Sequence, residues 1–254
     1  MPLKSNPKET QMPKILRFRL SGAGACFRIP DTAKTRYFTY PHIHRPALLG
    51  LFGAIAGLGG YAAAARQGKN RPVFPEYYSR FSDLHFAVCP KGSAAGNGNF
   101  PKSLHIFNNS TGLASGEAGG ILQFEEQILE KPEWEIVLLL DCPEAEKIAS
   151  MITGGECVFV PYLGKNDFPA EISDAVTEEA ETAESAAVCS LRSEGTYSTE
   201  ESPCSYEYAA RLPYELDEKT NLYCHRNYIY SDETVRAADG HSIYRLGNGD
   251  SVLI

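Results

Sequence analysis

The sequence predicts an α+β fold, and three observations predict it. Short apolar strands alternate with two helical segments in the order β-α-β, a long insertion, then β-α-β. The stretch Trp134–Leu140 is a fully apolar strand, as expected for the centre of a sheet. The last third of the chain consists of short Tyr-rich stretches such as SYEYAARLPY and YCHRNYIY, divided by Asp, Gly and Asn turns.

The first strand is expected at Ile15–Ser21, where Leu16, Phe18 and Leu20 alternate imperfectly with Ile15, Arg17 and Arg19. The first helix is expected at Pro46–Gly57. It opens with a proline and is rich in small residues, which lets a helix press closely onto a sheet. Ala47–Ala65 is an uncharged run of nineteen residues with a Gly53-x-x-x-Gly57 spacing. Its five glycines and closing alanines keep its hydrophobicity low, so it reads as this packed helix and not as a membrane span. A Pro-rich aromatic connector, Arg71–Tyr78, leads to a second strand at Leu84–Cys89. Residues 91–120 are rich in Gly, Ser and Asn, too long for a hairpin turn, with a short strand at Ser103–Asn108. Their glycines make the arm costly to order alone, so it is expected to be mobile in the isolated chain. Gln123–Glu130 reads as a short helix. Pro143–Thr153 is a helix with proline in its first turn, Glu144 near its positive end and Gly154-Gly155 as its stop. Glu156–Val160 reads as the last strand, and residues 171–186, acidic and free of aromatics, as a solvated linker. The whole is the split β-α-β order of a ferredoxin-like or RRM-like domain. That domain would occupy residues 1–170 with an inserted thumb at about 91–130. A small antiparallel β domain would follow at 187–254.

The charge is segregated. Residues 1–110 carry 15 Lys and Arg against 4 Asp and Glu, and residues 111–254 carry 9 against 28. Screening over roughly 8–10 Å would let the two halves act separately, so the basic half can attract a polyanion although the whole chain has a formal charge of −8. The richest segment lies between the first strand and the first helix. There Arg28, Lys34, Arg36, His42, His44 and Arg45 are interleaved with Phe27, Tyr37, Phe38 and Tyr40. Cations that neutralise phosphates beside rings that stack on unpaired bases suit single-stranded RNA. The turn Gly164-Lys165-Asn166 can present backbone N–H groups and a cation to a phosphate. The seven cysteines include no C-x-x-C pair and read as reduced, mostly buried thiols of a cytoplasmic protein. His42-x-His44 lacks a nearby thiol or carboxylate to complete a metal set, so neither a metal nor another cofactor is expected. The polar, Pro-containing start gives no signal-peptide pattern.

The segments F-R-I-P, T-Y-P before P-A-L-L-G-L, QILEKPEWEIVLLL and Y-L-G-K-N-D resemble the CRISPR-associated RAMP proteins of the Cas-five family, in the form found in type I-B-like Cascade complexes. The resemblance spans about residues 14–175 and more loosely the rest. It implies an RRM-like domain with a thumb and a small C-terminal β domain. It also implies a non-catalytic role: capping the 5′ handle of the guide RNA and joining the backbone and large subunits, with target DNA near the PAM as a further partner. Lys102, His105 and Asn108 would be the thumb's RNA contacts. Some members of the family instead cut precursor RNA without a metal. That chemistry needs a base, an acid and a cation, and Tyr37, Tyr40, His42, His44 and Lys34 supply those types. A free single-stranded RNA-binding module is the third reading.

Overall fold

The computed structural model describes residues 12–30, 35–92, 97–108, 116, 122–200 and 202–254. The chain begins with β1 (Lys14–Ser21), β2 (Gly24–Ala25), β3 (Arg36–Tyr37), α1 (Arg45–Ala56), α2 (Tyr61–Ala65) and α3 (Glu76–Phe81). It continues with β4 (Phe86–Lys91), β5 (Lys102–Asn108), β6 (Gln123–Glu130), β7 (Glu133–Leu139), α4 (Pro143–Thr153) and β8 (Glu171–Glu179). The remainder is all strand: β9 (Glu181–Ala183), β10 (Ser185–Ala187), β11 (Arg192–Ser193), β12 (Tyr197–Thr199), β13 (Glu207–Leu216), β14 (Tyr223–Ser231), β15 (Thr234–Ala237), β16 (Ile243–Arg245) and β17 (Ser251–Leu253).

The central sheet has the order β4-β7-β1-β8, and every neighbouring pair is antiparallel. β1 sits inside it, with Phe18 opposite Ile136 and Leu20 opposite Trp134. Alternation sends Leu16, Phe18 and Leu20 to the face covered by Leu48, Phe52 and Ile55 of α1 and Ile148 and Ile152 of α4. Ile15, with Ala87, Cys89 and Val137, faces the other way. It is covered by Ala180, Tyr244, Leu246 and Val252, so the last strands close the second face of the sheet.

Both long helices begin and end where their sequences say. In α1 the side chain of His44 caps the first turn, accepting from the Ala47 N–H, and Gly57 ends the helix at φ 75°. Its glycine stripe faces another helix: a Cβ on Gly53 would lie 2.4 Å from Cβ of Tyr77 in α3. Gly53→Ala is therefore expected to push α3 away and cost about 1–3 kcal/mol, read as a shift in the urea midpoint at unchanged slope. The apolar run is broken between α1 and α2, and among the described residues no helix is long and apolar enough to cross a membrane.

Four expectations are corrected. Gln123–Glu130 is strand β6 and not a helix, held along its length by β5. The Pro-rich connector is interrupted by α3. Glu156–Val160 forms no strand: the N–H groups of Val158 and Phe159 donate to the carbonyls of Ile55 and Ala54 in the last turn of α1. Residues 171–186 are not a solvated linker, because β8 takes the edge of the central sheet beside β1 and β9 pairs with β16. An acidic strand is tolerable there because its partner is basic: Arg17 bridges Glu135 at 3.1 Å and Glu178 at 3.3 Å, and Arg19 lies 3.5 Å from both Glu133 and Asp174. Two cations of the basic half are thus paired with carboxylates of the acidic half across β1, so the two halves are not fully separate fields. The cysteines are all free thiols, but only Cys26 and Cys89 are buried, while Cys157 and Cys204 are exposed. The expected mobility of residues 91–120 rests largely on positions outside the described residues.

Candidate nucleic-acid interface

A second sheet is built on β6. β5 pairs along one side of it, Lys102 opposite Leu129 through Asn108 opposite Gln123. β2 and β3 pair along the other side. This brings the basic loop and the arm onto one surface, with β6 between them. Phe107 stacks on Phe124 with ring centroids 5.8 Å apart, and Tyr37 meets Phe124 at 5.4 Å. Arg28 lies 3.5 Å above the Tyr37 ring, and the Lys165 ammonium lies 5.4 Å from the Phe107 ring. The result is a row, Arg28–Tyr37–Phe124–Phe107–Lys165, with three rings flanked by a cation at each end. Arg28 is exposed, Tyr37 is half-buried and Phe107 is 37% exposed. Rings of this kind offer a stacking face and the cations offer phosphate partners.

The other sequence-derived candidates divide into three groups. Arg36, Lys102, His105, Asn108 and Asn166 are exposed. Arg36 pairs with Glu125, a surface ion pair of the kind that is worth little. His105 stands opposite Glu126 in the ladder. Lys34 lies outside the described residues.

A second group is buried, apart from the half-buried Arg45, and serves the fold. Phe27 packs edge-on against His44 and Trp134. Tyr40 is buried, with its hydroxyl 2.7 Å from Nε2 of His225. His42 is fully buried, and its Nδ1 accepts from the Trp134 indole at 3.2 Å. His44 is 3% exposed and caps α1. Burial pulls both imidazoles down to about 3. Lys102 adds to the effect at His42 and His225 adds to it at His44. Both rings are therefore neutral near pH 7, which corrects their reading as cationic RNA contacts. Arg45 donates to the carbonyls of Ser82 and Leu84 (the latter at 2.8 Å), which ties α1 to the start of β4.

The third group is the turn. Lys165 is held by Glu126 at 2.8 Å and Asp167 at 2.9 Å. Burial opposes its charge, but the two carboxylates keep its pKa above the ordinary lysine value. Gly164 has φ +79°, and a Cβ there would stand 2.1 Å from the Cys26 carbonyl oxygen. This glycine serves a backbone-to-backbone approach, and the turn is not an open phosphate cradle. Gly164→Ala is expected to cost more than about 2 kcal/mol of stability by chemical denaturation.

Sequence reasoning missed Phe107 and Phe124. The signal was present in the alternation Phe124, Glu126, Ile128, but the helix-forming Gln, Glu and Leu residues around it hid the period of two.

No protein-family model matches the sequence, and no curated protein matches it. Solved structures do. A chain titled "CRISPR RNA-guided surveillance complex" aligns over 88% of this chain and 91% of its own length, at 16% identity and a TM-score of 0.50. The two chains share a fold. Also similar are a CRISPR protein from Archaeoglobus fulgidus and a CRISPR-associated protein. The first has 10% identity, 94% and 98% coverage and a TM-score of 0.46. The second has 12% identity, 89% and 93% coverage and a TM-score of 0.39.

Proposed function

We propose that this chain is a non-catalytic crRNA-binding subunit of a type I CRISPR Cascade complex, of the Cas-five kind. It caps the 5′ handle of the guide RNA in the cytoplasm and joins the backbone and large subunits near the PAM end of the target DNA. The observation that carries the reading is the row Arg28–Tyr37–Phe124–Phe107–Lys165, three rings with a cation at each end, of which Arg28 and Phe107 are exposed and Phe124 is buried between its neighbours. Two further features support it. The central order β4-β7-β1-β8 is the one a split β-α-β, RRM-like domain requires. On this reading the antiparallel β5–β6 pair belongs to the inserted thumb, and the C-terminal strands form the small β domain. Burial of His42 and His44, the two groups best suited to acid–base cleavage, favours capping over cutting.

The test measures binding of the purified chain, alone and with its complex partners, to a synthetic repeat-derived guide RNA. Arg28→Ala with Arg36→Ala should flatten the salt dependence by roughly 1.4 log units per log unit of salt, since each phosphate contact contributes about 0.7 on a single strand. Phe107→Ala should weaken binding by about 1–3 kcal/mol at nearly unchanged slope. Lys219→Ala with Arg245→Ala should change neither. Equal binding of unrelated single strands would favour a free RNA-binding module. A 2′,3′-cyclic phosphate product formed without metal would overturn the non-catalytic reading.

A further inference from the structure

On the opposite side of the central sheet from α1 and α4, the strands bring four metal-binding side chains to one place. Cys89 on β4 stands directly opposite Glu135 on β7 in the ladder. Cys189, in the segment that follows β10, has its Sγ 3.2 Å from that of Cys89. Asp250 comes from the turn between β16 and β17, and one ligand atom each from Glu135, Cys189 and Asp250 all lie within 4.8 Å of one another. We propose that Cys89, Glu135, Cys189 and Asp250 form a binding site for a thiophilic divalent cation such as Zn²⁺.

The geometry suits that ion. A tetrahedral zinc with sulfur at about 2.3 Å and oxygen at about 2.0–2.2 Å sets its ligand atoms roughly 3.3–3.8 Å apart. Glu135, Cys189 and Asp250 already stand within 4.8 Å of one another, and Cys89 is 3.2 Å from Cys189, so closing on an ion requires side-chain rotation toward a common centre. Two sulfurs and two carboxylates favour zinc over magnesium or calcium, which take oxygen. The site also lacks something. Oε2 of Glu135 is buried without a hydrogen bond, and the ammonium of Lys91 lies 3.8 Å from it. Lys91 is drawn instead to Asp250, at 2.7 Å. A lysine placed among two carboxylates and two thiols already acts as the local cation, and a dication can take its position. Asp250 and Lys91 are about one third exposed, which gives the ion a path from solvent.

The proton balance is simple. The carboxylates enter ionised, each thiol loses its proton to solvent, and the Lys91 ammonium swings outward and stays paired with the outer oxygen of Asp250. Burial raises the Cys89 thiol well above its ordinary value, and the nearby Cys189 and Glu135 add to that. The ion would join β4, β7 and the C-terminal strands, tying the second face of the central sheet to the segments that cover it.

The test uses the full chain, stripped with a chelator and kept reduced with a non-thiol reductant. Titration with Co²⁺ should raise a saturable thiolate-to-cobalt charge-transfer band at one ion per chain, and Zn²⁺ should abolish it and raise the thermal midpoint. Cys89→Ser and Cys189→Ser should remove the band. Asp250→Asn, at a partly exposed position that leaves the core intact, should weaken cobalt binding by more than about tenfold, since even an outer-shell partner is worth ~10–100-fold. Cys157→Ser with Cys204→Ser, at exposed positions, should change nothing. Absence of the band in the reduced wild-type chain, or its persistence in the Cys89 and Cys189 variants, would overturn the proposal. So would a Cys89–Cys189 disulfide in protein purified without added oxidant.

Discussion

Trp134→Ala is expected to destabilise the protein by about 3–5 kcal/mol, the range for removing a fully buried aromatic side chain. Trp134 is completely buried and meets Phe27 and Phe100 edge-on, with centroids 6.0 and 5.2 Å away. Its indole N–H is also the donor to Nδ1 of the fully buried His42, so truncation leaves that acceptor without its partner. Trp134→Phe keeps most of the ring volume and loses only the donor. It should cost about 1–3 kcal/mol. Urea unfolding of the two variants separates packing from hydrogen bonding, and a loss below about 1 kcal/mol for Trp134→Ala would contradict the central place given to this residue.

Mild acid is expected to have an effect of similar size. His42 and His44 have folded-state pKa values lowered from 6.5 to about 3, chiefly by burial. In the unfolded chain both titrate near the ordinary value. Above about pH 7.5 neither state binds the proton and stability is complete. As pH falls from there toward 3, only the unfolded chain is protonated, so stability is progressively lost. At pH 5 the loss amounts to about 2 kcal/mol for each ring, or about 4 kcal/mol for the pair. His44→Asn tests the assignment, because asparagine keeps a side-chain cap for α1 and does not titrate. The drop in stability between pH 7 and pH 5 should be halved in that variant. An unchanged pH profile would show that the buried rings are not its source.

What the sequence made legible was whatever rested on local rules. β1, β7 and α4 announce themselves through apolar alternation, an unbroken apolar run and a Pro-to-Gly helix frame. What it hid was decided by distant partners. Residues 171–179 look like a linker because Glu171, Asp174, Glu178 and Glu179 suggest solvation, yet Arg17 and Arg19 more than 150 positions earlier make them a sheet edge. The basic loop was legible in composition but not in burial. His42 and His44 read as RNA contacts beside Arg28 and Arg36, whereas the fold turns the histidines inward against Trp134 and the first turn of α1, and the arginines outward. Only the three-dimensional pairing of β5 with β6 reveals that Phe107 and Phe124 stack beside Tyr37.

The position of β1 has a consequence for synthesis. Its two ladder partners lie at residues 133–139 and 171–179. At about 5–20 residues per second, a ribosome needs roughly ten to thirty seconds after making β1 to supply the last of them. During that interval an apolar strand that will later be interior has both edges open, a state prone to mispairing. The Arg17 and Arg19 side chains that later meet carboxylates on both sides repel a second nascent copy of the same strand in the meantime. Replacing both with glutamine should lower the yield of properly assembled protein during rapid expression more than it lowers the equilibrium stability of the molecules that succeed in folding.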